Sequence, residues 1–336
     1  MATTQYGHAG KVCSSRLFGA VLMILAALLT GCDSPEGTGT TPPSSASTRT
    51  PTHAPASGGP CGTASASPRR YQHVIWIIME NKSYSAVIGS PSAPYETRLA
   101  HECASDTNWS DAGSQYNSLP NYIAMTTGQG GSVLTPFTCD CAPSSSVSVT
   151  VDNIFRQVRT AGGTERSYAE GMSGNCSNSG TLYAPRHNPA LYMRGGADRA
   201  ACQRDDIPMG SATAGSFVDA LNSNTLPTYS LVAPDLCHDT HDSPCGVATG
   251  DHFLRALLPH VLSSRAYRSG TTAVFVVWDE DSPIPNIVIA PSVIPGTTSS
   301  TPVSHYGLLR ATEEMLGLPL LGNAARATSL RTVFHI

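Results

Sequence analysis

Ser118, Pro120 and Asn121 stand together in SLPN, where a polar run gives way to an apolar one. Proline is favoured in the first turn of a helix. A serine just ahead of it can cap that helix or sit at the positive end of its dipole, facing an anion. The rest of the chain offers partners for the second role. Acids and an amide follow apolar runs at Glu80-Asn81, Asp235 and Asp279-Glu280. The segment CHDTHDSPC (237–245) packs His238, Asp239, His241 and Asp242 between two cysteines. Asp251, His252 and His305 stand at helix entries. Carboxylates, imidazoles and a hydroxyl converging on one place are the inventory of metal-assisted phosphoryl transfer. There a divalent cation lowers the pKa of a hydroxyl and neutralises charge on the phosphate.

A sheet must bring these groups together. The runs YQHVIWIIMEN (71–81), TYSLVAPD (228–235), TAVFVVWDED (272–281) and IPNIVIAP (284–291) are β-branched and aromatic with little alternation, which predicts strands buried on both faces. Between them SLPNYIAMTTG, DNIFRQVRTAG, SFVDALNS, DHFLRALLPHVLSSRAY and HYGLLRATEEMLG carry helical spacing. Strands alternating with helices predict an α/β fold, a mostly parallel central sheet with helices on both faces. Ligands bind at the carboxyl ends of such strands. Three of the strands deliver Glu80-Asn81, Asp235 and Asp279-Glu280 to that edge. His73, His260 and His335 read as structural, and Trp76 and Trp278 as strand core.

Of 336 residues only 13% are charged, and the net charge is −4. There is no basic footprint, so nucleic acid is excluded as the expected partner. Lys11 and Arg16 precede the apolar run LFGAVLMILAALL, which ends in Leu29-Thr30-Gly31-Cys32. That ending resembles the bacterial lipobox, which implies cleavage before Cys32, lipidation of its thiol and an extracytoplasmic protein held at the membrane. Residues 32–60, rich in Ser, Thr and Pro, cannot bury enough surface to order themselves and predict a flexible tether. A single catalytic domain is expected over 61–336. Beyond Cys13 and Cys32 the chain has Cys61, Cys103, Cys139, Cys141, Cys176, Cys202, Cys237 and Cys245. In an exported protein this even set predicts disulfides, although eight cysteines allow about 105 pairings. The spacing of Cys237 and Cys245 around the His/Asp cluster suggests one bridge.

ENKSY after a buried strand, SLPNYIAMTTG, HNPALYM, HDTHD…TGDHFL, VVWDED and SHYGLLRATEEMLGLP occur in that order. Together they resemble the phosphoesterase family of bacterial acid phosphatases and phospholipases C, within the alkaline phosphatase superfamily. The resemblance runs from about Gln72 to about Pro319 and implies a three-layer fold of that superfamily. In its nucleotide pyrophosphatases a Thr-x-Pro-Asn pattern supplies the nucleophile and a phosphate contact. Ser118 matches the Thr and Asn121 the Asn. Small secreted acid phosphatases often carry His-Pro where this chain has Tyr116-Asn117. The resemblance makes Glu80, Asn81, Asp279 and Glu280 the metal ligands. It makes His305 and His238 catalytic, and His187 and His241 substrate contacts, with Asp239 and Asp242 as further metal or phosphate contacts. The cofactor it implies is a divalent ion: Mg, Ca and Mn suit the oxygen donors, and nearby histidines admit Zn or Fe. The expected activity is a phosphomonoesterase working through a phosphoserine, on a phosphorylated small molecule or phospholipid, as a monomer. A phospholipase C-type diesterase would use the same core. A non-catalytic binding module on this fold is the reading from another class.

Overall fold

The run 73–79 forms the middle strand of the sheet because it offers a continuous apolar ribbon. Every side chain from Val74 to Met79 is buried. Successive strand residues point to opposite faces, so both faces must be covered. The computed structural model describes residues 59–113, 117–241 and 244–336. The signal segment, Cys32, most of the tether and Asp242 lie outside the described residues.

Ten strands are found there: β1 (His73–Met79), β2 (Ala104–Asp106), β3 (Trp109–Ser110), β4 (Glu165–Ala169), β5 (Asp206–Pro208), β6 (Tyr229–Ala233), β7 (Thr272–Trp278), β8 (Asn286–Ile289), β9 (Thr297–Ser299) and β10 (Val303–Ser304). Eight build one sheet in the order β5-β4-β6-β1-β7-β8-β2-β9, and β3 pairs with β10 apart from it. The strands from β5 to β7 are parallel, whereas β8 runs antiparallel to both β7 and β2. The four strands expected from the sequence are β1, β6, β7 and β8. The edge strands β5 and β9, and β2 beside β9, are three residues each, too short to leave a periodic signal.

The helices form two packed groups, one for each face. Pro94–Glu102, Ser216–Asn222, Val247–Ser263 and Arg265–Arg268 pack together, as do Ser118–Thr127, Ile154–Thr160, His305–Leu316 and Leu330–Phe334. No helix among the described residues is long and apolar enough to cross a membrane.

Four disulfides join Cys61–Cys103, Cys139–Cys141, Cys176–Cys202 and Cys237–Cys245. The last is the bridge suggested by spacing. Such bridges persist in oxidising, extracytoplasmic compartments.

Strand register decides which acids meet. Met79 of β1 lies opposite Trp278 of β7, so Glu80 and Asp279 leave the sheet side by side. Ala169 of β4 lies opposite Ala233 of β6, which brings Glu170 to the same edge as Asp235.

Candidate active site

The Ser118–Thr127 helix begins without a side-chain cap from its own N-cap residue, Asn117. Its exposed donors are met from elsewhere, as helix N-termini require. The Leu119 N–H donates to Asp140 Oδ1 at 2.9 Å. Asn121 Oδ1 accepts the N–H groups of Gly113, at 2.7 Å, and Ala112, at 3.3 Å, and so ties the preceding loop to the first turn. A Cβ at Gly113 would fall 2.4 Å from the Pro120 backbone, so only glycine lets the loop approach this closely. Held in this way, Ser118 is 2% exposed, and its Oγ donates to Glu80 Oε2 at 3.0 Å.

Glu80 is gripped from several sides. The Tyr122 hydroxyl, one helical turn on from Ser118, donates to Glu80 Oε1 at 2.5 Å. The Glu80 N–H donates to the Asp239 carbonyl at 2.8 Å, and Thr240 Oγ1 donates to the Glu80 carbonyl at 2.6 Å. Thr240 holds φ at +80°, rare for a β-branched residue. Its hydroxyl accepts from Trp278 Nε1 at 3.1 Å, so the constraint comes from packing beneath the site. His187 lies between two carboxylates, Nε2 at 3.3 Å from Glu80 Oε2 and Nδ1 at 3.2 Å from Asp239 Oδ2, and stacks on Tyr122 at 5.6 Å. His241 completes a cluster with Glu80 and His187 whose ligand atoms all lie within 4.8 Å of one another.

The acids raise one another. Burial, then Asp279 and Asp239, push the Glu80 carboxyl well above the usual range. Burial raises Asp279 to about 7 against the pull of the Asn81 N–H, which reaches its Oδ1 at 3.2 Å. Burial and then Asp279 raise Glu280 to about 8. Asn81 Oδ1, Asp279 Oδ2 and Glu280 Oε2 are buried, and no hydrogen-bond donor reaches them among the described residues. Unsatisfied buried oxygens are costly. A divalent cation would offset both that cost and the mutual repulsion. The donor set therefore fits the hard cation expected from the sequence. Asn81, Asp279 and Glu280 carry the open oxygens, whereas each Glu80 oxygen already accepts from a hydroxyl.

Other expected residues stand differently. His305 is fully buried at the start of its helix. Nε2 donates to the Asp279 carbonyl at 2.6 Å, and Nδ1 accepts from Trp109 Nε1 at 3.3 Å. Burial lowers its pKa to about 4. With both nitrogens engaged, His305 braces the Asp279 backbone in this structure. His238 turns to β4 and β6 instead of Ser118. Its Nδ1 lies 2.9 Å from Glu170 Oε2 and its ring stacks on Phe253 at 4.9 Å. The hydrogen bond to Glu170 raises its pKa. The Asn121 amide braces the loop, with Nδ2 donating to the Asn117 carbonyl at 3.3 Å. Asp239 enters as the partner of His187. Sequence reasoning passed over Tyr122, Asp140, Glu170 and Thr240. Only Tyr122 had a readable signal, its i,i+4 spacing from Ser118 on one helix face.

The model of the Phosphoesterase family matches residues 91–284, more than half of the chain. The chain belongs to this family. It is 28% identical over 282 residues to the phosphatidylinositol-3-phosphatase of Mycobacterium tuberculosis, covering 81% of this chain and 86% of that protein. It is also 28% identical to the phosphate-repressible acid phosphatase of Penicillium chrysogenum, but only over 42% of this chain and 34% of that enzyme. Among solved structures the fold is shared with an alkaline phosphatase superfamily protein from Vibrio parahaemolyticus (TM-score 0.51, 14% identity, 80% of this chain and 73% of that one). It is shared too with the lipoteichoic acid synthase LtaP from Listeria monocytogenes (TM-score 0.51, 10% identity, 77% and 76%). This phosphoesterase family member is a hydrolase of phosphoric esters. The open oxygens at the end of its sheet suit a divalent cation.

Proposed function

We propose that the chain is a metal-dependent phosphomonoesterase that works through a phosphoserine at Ser118. The observation that carries the reading is the Ser118 hydroxyl, buried at a helix N-terminus and donating at 3.0 Å to Glu80 beside three unsatisfied oxygens. Asn81, Asp279 and Glu280, with Glu80 adjoining, would hold the cation. When bound it lowers the hydroxyl pKa and neutralises charge on the phosphate. Oxygen donors favour magnesium, calcium or manganese, with zinc or iron admitted by His187 and His241.

Ser118 Oγ forms the bond to phosphorus as the ester oxygen leaves. The Ser118 proton would pass along its hydrogen bond to Glu80 Oε2, the acceptor 3.0 Å away. His187, bridging Glu80 and Asp239, would hold the accepting carboxylate in place, and the proton would return from Glu80 to the leaving alcohol. Water then cleaves the phosphoserine and releases phosphate. The helix N-terminus favours the anion throughout.

Phosphoinositides are the first natural substrates to try, following the name of the mycobacterial relative. The lipid anchor read from Leu29–Cys32 would hold the domain at a membrane. The test compares p-nitrophenyl phosphate with its bis-ester, in wild type, in Ser118→Ala and after chelation. Hydrolysis of the monoester, lost in Ser118→Ala with an unchanged circular dichroism spectrum and restored to the chelated enzyme by a divalent ion, is expected. Full activity of Ser118→Ala, or indifference to chelator, refutes the mechanism. A preference for the bis-ester makes the enzyme a diesterase.

A further inference from the structure

Arg186 stands one residue before His187 in the short turn Pro185–His187. The His187 ring is pinned between Glu80 and Asp239, so the backbone of Arg186 is set at the rim of the site. Its guanidinium Nη2 lies 3.4 Å from His241 Nε2, where the arginine donates to the ring. The charge also reaches Tyr192, whose pKa burial raises most, Asp140 raises further and Arg186 lowers. Asp140 is the residue that caps Leu119. Arg186 therefore lies by the first turn of the Ser118 helix, between His241 and the 139–141 loop.

Its pairing sets it apart from several other arginines. Arg98, Arg156, Arg159, Arg204 and Arg310 each meet a carboxylate, and Arg70 and Arg331 bond backbone carbonyls. Arg186 has no carboxylate within ion-pair distance among the described residues. A cation this close to Glu80, Asp239 and Asp140 would lower its energy by pairing with one of them. Arg186 is instead steered by an imidazole, which orients the guanidinium and leaves its charge open.

We propose that Arg186 is the residue by which this site selects a phosphomonoester dianion over a diester monoanion. The inference rests on the phosphomonoesterase reading and names the charge state it takes. A guanidinium offers a planar fork of donors matched to two phosphate oxygens, and it holds its charge at every working pH. A diester keeps two free oxygens where the monoester has three, and it carries one negative charge fewer. For a half-buried cation in direct contact with the phosphate, at an effective dielectric near 20, that one charge is worth on the order of 100-fold in binding after allowance for solvent. A divalent cation held by the acidic floor would favour the dianion as well, so the share owed to Arg186 is what its removal from the metal-loaded enzyme reads.

The test uses Arg186→Ala and Arg186→Lys in the metal-loaded enzyme, with p-nitrophenyl phosphate, its bis-ester and inorganic phosphate as inhibitor. Arg186→Ala should lower kcat/KM for the monoester about 100-fold more than for the bis-ester, and should weaken phosphate inhibition. Arg186→Lys keeps the charge without the fork and should recover part of the monoester rate. Equal losses on both esters with unchanged phosphate inhibition would show that Arg186 only positions His241, and would overturn the proposal. So would an unaffected monoester rate. Calorimetric binding of inorganic phosphate to Ser118→Ala, with and without the added substitution Arg186→Ala, needs no turnover. Phosphate affinity that depends on Arg186 there supports the inference even if Ser118 is not the nucleophile, and affinity indifferent to Arg186 overturns it.

Discussion

Asp140 is the residue on which the placement of the nucleophile can be tested most cleanly. It lies between Cys139 and Cys141, has φ at +50°, and its Oδ1 accepts the Leu119 N–H at 2.9 Å. It thus serves as cap to a helix that takes no side-chain capping bond from its own N-cap residue. Asp140→Gly removes the acceptor and the charge without backbone strain, because glycine takes positive φ freely. Losing such a cap costs about 1 kcal/mol, and losing a charge at the positive end of the dipole about 0.5 kcal/mol more. For a domain of this size about 1.5 kcal/mol corresponds to roughly 3–6 °C in Tm. Asp140→Asn retains an oxygen acceptor and also tolerates positive φ, so it should lose only the charge contribution and about 1–2 °C. The first turn also carries Ser118, whose misplacement by ~1 Å can cost ~100-fold in rate. Asp140→Gly should therefore lower kcat/KM at least about tenfold, more than its loss of stability implies. Scanning fluorimetry and steady-state kinetics on the two variants decide the matter. If glycine and asparagine give the same Tm and rate as wild type, the cap does not hold the nucleophile.

Two further predictions concern regions outside the Ser118 turn. Glu96 is fully buried, no donor reaches either of its carboxylate oxygens among the described residues, and burial followed by Asp251 holds its pKa well above the ordinary value. A carboxyl raised on folding contributes stability that is complete at pH below its unfolded value and is lost as pH rises through its folded value. Glu96→Gln should therefore melt higher than wild type at pH 8, with the gap closing towards pH 4; a gap independent of pH refutes the assignment. Cys237–Cys245 closes a short loop carrying Asp239, Thr240 and His241. Replacing both cysteines by serine should cost about 2–3 kcal/mol of stability and a larger proportion of turnover, since the loop latches Glu80 and His187. Unchanged turnover in a destabilised variant would show that the bridge serves stability alone.

The class of fold was legible in the residues alone, as was the sheet edge to which β1 and β7 deliver their acids. The β1, β6, β7 and β8 strands are apolar runs whose burial needs no knowledge of their neighbours, and the helices carry their periodicity within a few turns. Because strand ends set where side chains emerge, Glu80, Asn81, Asp279 and Glu280 could be assigned to one edge before any register was known. Partnerships were decided only by tertiary structure, because they join residues far apart in the chain. The partners of His305 are Trp109 and the Asp279 carbonyl, 196 and 26 residues away in the chain. His238 and His241 stand three positions apart in one loop, yet strand order hands the first to Glu170 on β4 and the second to Arg186 and the Glu80 cluster. Asp140 becomes a cap and Glu96 a buried acid beside Asp251 through the same long-range packing, which local periodicity does not encode.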